Sequence, residues 1–288
     1  SRKDGPQMHA LAYRSHDGHA VDLYCERTWT PNLTEIRSTQ WNYTLGTRGI
    51  TGSSRPATET TITITTLNPN DLDQLQALAD MDVESLSPGT LTINNEWTQK
   101  AFIVGTNVQS PTLSPALAIV TFRIVLCDGL WRHRLSTQRF TPMTADSGNV
   151  LDMPYDLPAD LACPKTIQRI SNPTASPCGF VCRIFGQATN PQFTVGGNLY
   201  RFDDVTVPSD GYMTVIGTSL EKSIKVTDGN GDVADRFCSG ARGSGKGCGS
   251  YCFEPIPSGE SILTWSGGFT IEFDLYESSG VPPWSTLS

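Results

Sequence analysis

Apolar residues recur at every second position along most of this chain. In Thr60-Thr61-Ile62-Thr63-Ile64-Thr65-Thr66, Ile62 and Ile64 share one face and threonines fill the other, which is the period of a half-buried strand. Pro88-Gly89 leads into Thr90-Leu91-Thr92-Ile93, and Asn94-Asn95-Glu96 then turns the chain toward Trp97 and Phe102-Ile103-Val104, so the turn chemistry predicts a hairpin. Residues 116–127 form the most apolar strand. One segment breaks the alternation. Residues 68–80 place Leu72, Leu75, Leu78 and Ala79 on one face, behind an Asn cap, a Pro in the first turn and early acids, which predicts a short amphipathic helix.

From 136 to 164 the pattern lapses into Thr, Ser, Gly and Pro, including Met153-Pro154-Tyr155-Asp156-Leu157-Pro158, and reads as a linker. That divides the chain into domains 1–158 and 159–288. Beyond the linker, short strands are predicted at 179–185, 192–195, 198–202, 213–216, 223–226, 251–253, 261–265 and 269–276. Turn sequences such as Gly196-Gly197 and Asp228-Gly229-Asn230-Gly231 separate them, at the spacing of a β-sandwich. The expected fold class is mainly β, with one helix in the first half.

Composition agrees with that picture. The 288 residues include 33 Thr and 26 Ser with only 17% charged, which excludes a coiled coil or a charged disordered tail. The net charge of −8 is shared evenly between the two halves and argues against a general binder of nucleic acid or anionic membranes. No apolar run approaches the roughly 18 residues of a membrane span, and the polar start Ser1-Arg2-Lys3-Asp4 is not a secretory signal, so synthesis in the cytoplasm is expected. Six of the eight cysteines (Cys163, Cys178, Cys182, Cys238, Cys248, Cys252) lie in the second half. A protein made in a reducing cell that later works outside it, as in a virus particle, reconciles the two observations.

Several motifs invite chemistry. Gly240-Ala241-Arg242-Gly243-Ser244-Gly245-Lys246 fits seven positions of a phosphate-binding loop, but Gly247 stands where a Ser or Thr must hold magnesium, and Cys248–Pro255 starts no helix. A flexible loop between strands is expected, with no nucleotide bound. Cys178, Cys182, Cys238, Cys248 and Cys252 form a candidate thiol cluster: poorly spaced for zinc, able to form disulfides after leaving the cell, or else reduced and buried. His16-Asp17-Gly18-His19 with Asp22 is the only histidine pair, and it reads better as a turn than as a metal or acid–base site. His133 is read as a surface residue. Trp265 and Trp284 have faces that could stack on sugar rings, although Trp265 ends an apolar strand and packing suits it better. No nucleophile elbow, metalloprotease motif or paired carboxylates are present, so no enzyme, cofactor or metal is expected.

The order of elements is more specific than any one of them. Gly186, Asn190-Pro191, Gly197-Asn198-Leu199-Tyr200, Asp228-Gly229-Asn230-Gly231, Ile256-Pro257-Ser258-Gly259-Glu260, Thr264-Trp265-Ser266 and the closing stretch from Phe269 to Trp284 resemble the C-terminal domain of the distal tail proteins of long-tailed, non-contractile phages. In the first half, the helix up to Asp80-Met81-Asp82-Val83, Pro88-Gly89, the hairpin and Phe122–Trp131 are similar to the ring-forming domain of that family. The resemblance implies a homohexameric ring at the virion tail tip. It would join the tail tube protein to hub, tail-associated or fibre proteins, with a galectin-like sandwich as the docking domain and DNA only as cargo in the lumen. Within that frame the β-prone, uncharged face of Thr61, Thr63 and Thr65 is the candidate ring interface, and an acidic lumen would repel DNA phosphates. The alternative, from a different class, is a two-domain β-rich carbohydrate-binding protein.

Overall fold

The computed structural model describes residues 11–29, 36, 39–109, 117–142, 166–219 and 221–282. The chain is mainly β and divides into two compact units, residues 1–133 with 278–288, and residues 134–277. The boundary expected at 158/159 lies outside the described residues.

In the first unit the strands are β1 (Leu11–Arg14), β2 (Ala20–Asp22), β3 (Thr28–Trp29), β4 (Asn42–Gly46), β5 (Gly49–Ser54), β6 (Thr58–Thr66), β7 (Gly89–Ile93), β8 (Trp97–Gln109), β9 (Ala118–Leu126) and β10 (Trp131–Arg134), with helix α1 (Pro69–Glu84) between β6 and β7. All pairings are antiparallel. The predicted hairpin is β7–β8, with Ile93 opposite Trp97 and a turn whose Asn94 and Asn95 sit at φ 52° and 57°, a region Asn tolerates. Strand β8 serves three partners. Its first part pairs with β7 and, at Trp97 and Thr98, with β10; from Ala101 onward, across an irregularity between Ile103 and Gly105, it runs along β9. Strand β9 in turn pairs with the whole of β6. Ile62 and Ile64 of β6 are buried with Phe122, Ile124, Trp97, Trp131 and, from α1, Leu75, Leu78 and Ala79, so the helix covers one side of this core.

Helix α1 runs four residues past the predicted end. The extension is held by Asp82, a buried carboxylate that the apolar pattern alone could not place. Asn68 also behaves differently from expectation: its side chain makes no cap and donates instead to Asp71 Oδ1 at 2.7 Å.

The second unit is a two-sheet sandwich. One sheet contains β11 (Gln138–Phe140), β13 (Gly179–Phe185), β18 (Tyr212–Gly217), β19 (Lys222–Thr227), β20 (Val233–Asp235) and β22 (Thr270–Ser279). The other is ordered β12 (Thr166–Asn172), β21 (Gly259–Trp265), β15 (Gln192–Val195), β16 (Asn198–Arg201). A short pair, β14 (Ala188–Thr189) with β17 (Thr206–Val207), lies apart. Phe180, Phe273, Phe193 and Tyr200 meet between the sheets, with Phe193 stacked on Tyr200 at 4.8 Å and edge-on to Phe273 at 5.7 Å.

Two local expectations are corrected here. Residues 136–142 are not linker: Gln138–Phe140 pairs with Ile271–Phe273, and Phe140 is buried, because a three-residue alternation is too short to register against Thr and Ser. Residues 251–253 form a turn rather than a strand, which sends both Cys252 and Phe253 inward.

Candidate interaction surfaces

The threonine face of β6 lies on the side of the sheet away from the core. Thr61 is opposite Arg123 and Thr63 opposite Thr121, and the two hydroxyls of the second pair lie 2.9 Å apart. On β8, Gly105 stands beside Arg123, where a Cβ would crowd the guanidinium. Arg123 reaches Glu59 at 3.5 Å across β6. Thr61, Thr121, Arg123, Gly105, Thr106 and Asn107 line a shallow depression of about 370 Å³. The face is polar and nearly neutral. Thr65 is set apart from Thr61 and Thr63: opposite Ile119 and Trp29, it is only 8% exposed, so the folded chain does not present it.

The histidine pair splits. His19 Nδ1 meets Asp17 Oδ2 at 2.8 Å within its own turn, closed by Ser15 N–H to His19 O, with Gly18 at φ 97°. His16 turns inward to Asp82, which collects Tyr13 Oη at 2.5 Å, Ser15 Oγ at 2.5 Å, His16 Nδ1 at 2.6 Å and His16 N–H at 3.1 Å. Burial pushes the Asp82 carboxyl up, but the hydrogen bonds from Ser15, Tyr13 and His16 outweigh it and hold it below the usual range. Burial and the neighbouring carboxylate push the Tyr13 hydroxyl far up, so it remains a donor. The cluster ties α1 to the end of β1. Its key residue, Asp82, was missed as a partner because it lies 66 residues from His16.

In the second unit the glycine-rich loop follows a single 3-10 turn, Phe237–Ser239, and leads into no helix. The Gly247 N–H donates to Glu254 Oε2 at 2.8 Å, so a carboxylate already stands where a phosphate would need to lie. Arg242 stacks on Phe237 with its guanidinium carbon 4.1 Å from the ring centre and donates to Phe237 O.

The thiols do not form one cluster. Cys178, Cys182 and Cys252 are buried, and Cys238 and Cys248 are exposed; all five are unbridged. Cys252 is thus buried and unbridged, although it follows the exposed glycine-rich stretch. Burial pushes the Cys178 and Cys182 thiols up, and Cys252 to about 11. Cys248 moves the other way, to about 7, because Ser250 and Ser244 hydrogen-bond its sulfur. Cys163 lies outside the described residues. No three of His, Cys, Asp and Glu converge as metal ligands among the described residues.

Trp265 is buried and donates its indole N–H to Phe269 O at 2.9 Å, so its face is not open to a sugar; Trp284 lies outside the described residues. The central charge of this unit is Asp274, fully buried, which accepts from Arg134 at 2.7 Å, Thr137 at 2.6 Å and Arg183 at 2.8 Å. His133 is half-buried, its ring 5.2 Å from that of Trp97.

Sequence reasoning also missed β4–β5, a ribbon whose eleven residues are all exposed. The signal was present in Tyr43 and Leu45 alternating up to Gly46, followed by Gly49-Ile50.

The fold, two β-rich units in this order, is shared with solved phage baseplate and hub structures. No family model and no curated protein matches the chain. Among solved structures it is similar to a chain of the phage P2 baseplate in its activated conformation with calcium (TM-score 0.57, 10% identity, covering 95% of this chain and 99% of that one). It is similar to the same baseplate with strontium (TM-score 0.56, 10% identity, 95% and 99%). It is also similar to the Dit protein of phage SPP1, a hub of the adsorption apparatus in phages that infect Gram-positive bacteria (TM-score 0.54, 13% identity, 93% and 98%). The fold expected from the resemblance is thus the fold found.

Proposed function

We infer that this chain is a structural part of a phage tail tip, not a catalyst. In this reading it forms a six-fold ring in the virion that joins the tail tube protein to hub, tail-associated or fibre proteins, and DNA passes through as cargo. The observation that carries the reading is the length of the shared fold: both units, in the same order, over 93% or more of the chain. A local resemblance would leave one unit unmatched.

The first unit is the proposed ring-forming part. Its β6–β9–β8 face offers Thr61 and Thr63 as a neutral polar surface, with Thr65 withdrawn beneath it. The second unit, with a closed aromatic core of its own, is the proposed docking domain.

Electron microscopy of the purified full chain, with light scattering for mass, tests this. A closed ring of six times the 31.3 kDa chain is expected. A monomer at micromolar concentration would refute it. Thr63→Glu is expected to weaken the ring more than the fold, because a carboxylate would be buried unpaired only in the assembly.

A further inference from the structure

We propose that the β4–β5 ribbon is a clasp that docks on the C-terminal end of helix α1 in a second copy of this chain. This deepens the ring reading above and rests on it.

The ribbon is two strands long and exposed along its whole length. Two-stranded ribbons are marginal in water unless something covers one face. This one has a face to cover: Leu45 and Ile50 are cross-strand partners, and Tyr43 lies two residues back on the same strand. Their exposures are 69%, 65% and 59%. The ribbon is firmly rooted, since Arg55 at its base lies over the Trp41 ring at 4.2 Å and donates to Gly129 O at 3.1 Å. Gly46 is required at the turn, where a Cβ would run into the Thr51 methyl. Between residues 38 and 54 the only charge is Arg48, at the tip.

The proposed acceptor has the opposite character. Helix α1 carries Asp71, Asp73, Asp80, Asp82 and Glu84 and no basic residue. At its C-terminal end Asp80, Val83 and Glu84 share an exposed face by their i, i+3, i+4 spacing. Just beyond, Leu86 is 83% exposed, at φ 52° in the left-handed position that ends the helix, where Ser87 N–H donates to Asp82 O. That cap holds an apolar side chain in water, where a partner can reach it. An apolar face with a basic tip thus meets an apolar spot with an acidic rim, and both belong to the first unit. The two surfaces differ, so the contact is head-to-tail, the kind that closes into a ring.

Mass photometry of the full-length protein across a dilution series tests the clasp. The Leu45→Asn/Ile50→Asn variant is expected to need about 100-fold more protein to form rings, with the thermal midpoint of the monomer unchanged. Arg48→Glu is expected to weaken assembly roughly 5- to 10-fold, and adding Glu84→Arg to restore most of that loss. A Leu45→Asn/Ile50→Asn variant that forms rings at the same concentration as the wild type would overturn the clasp and leave the ring standing. Failure of Glu84→Arg to rescue Arg48→Glu would overturn the choice of acceptor. A wild type that stays monomeric would bring down the ring reading itself, and the clasp with it.

Discussion

Asp82→Ala removes one side chain and strands several others. In the folded chain the carboxylate accepts from Tyr13, Ser15 and both His16 donors with no solvent exposure of its own. Hydrogen bonds to a charged group contribute about 1.5–3 kcal/mol each, and a buried donor left without a partner costs about 1–3 kcal/mol. Tyr13 has only a long contact to Ala101 O, at 3.5 Å, to fall back on. His16 is partly exposed and recovers water, so the net loss is about 3–5 kcal/mol. At about 2–4 °C per kcal/mol, the melting temperature should fall by about 10 °C. Asp82→Asn keeps the shape and should lose about half as much. The pH dependence has a definite sign. The folded carboxyl sits below its usual value and the unfolded one near 4, so the stabilisation is complete above about pH 4 and fades as pH falls through the folded value. The wild type and Asp82→Asn should therefore converge in acid. Urea denaturation at pH 7 and pH 3 measures both effects. An Asp82→Ala variant within about 1 kcal/mol of wild type at pH 7 would refute the reasoning.

Three further outcomes are expected. Under native conditions Cys238 and Cys248 should react with a disulfide reagent within minutes and Cys178, Cys182 and Cys252 only on unfolding, as read by mass spectrometry, with the Cys248 rate rising through about pH 7 as its thiolate forms. If the exposed pair is oxidised in particles outside the cell, the same spectra of non-reduced protein will contain a Cys238 or Cys248 bridge. Calorimetric titration with ATP and magnesium should release no heat; micromolar binding lost in Lys246→Ala would contradict the occupied Gly247 N–H. Residues 134–277 expressed alone should be a folded monomer by light scattering and circular dichroism, since their core closes on itself, and a ring formed by this fragment would move the interface out of the first unit.

What could be read from the sequence followed the strength of local signals. Ile62 and Ile64 among threonines, and Asn94-Asn95-Glu96 between two apolar runs, are self-contained statements about backbone period and turn, and both elements were found where expected. Seven of the eight predicted strands of the second half were legible for the same reason, 251–253 being a turn, while β12 and β20 were not foreseen. Less legible was anything decided by a distant partner. Asp82 looks like one more surface acid until Tyr13, Ser15 and His16 surround it. Cys252 sits in a glycine-rich stretch that looks exposed, and only the turn at 251–253 buries it. Thr65 was grouped with Thr61 and Thr63 by period, yet Trp29 across the β3 pairing covers it. The β4–β5 ribbon failed differently: its Thr, Gly and Ser dilute the alternation, so three apolar residues passed as loop.

Strand β8 has a consequence for how the first unit comes apart. Its 13 residues are gripped by β7 and β10 near one end and by β9 along the other, with Ala101 paired on both sides. Neither the β7 side nor the β9 side can peel away without pulling on the strand that the other one holds. The unit should then yield as a single body, with the backbone amides of residues 97–109 the last to exchange with heavy water and neither side lost ahead of the other. If the chain is the tail-tip part proposed above, such a keystone would serve it well, because a load placed on one side of the strand is shared at once with the other.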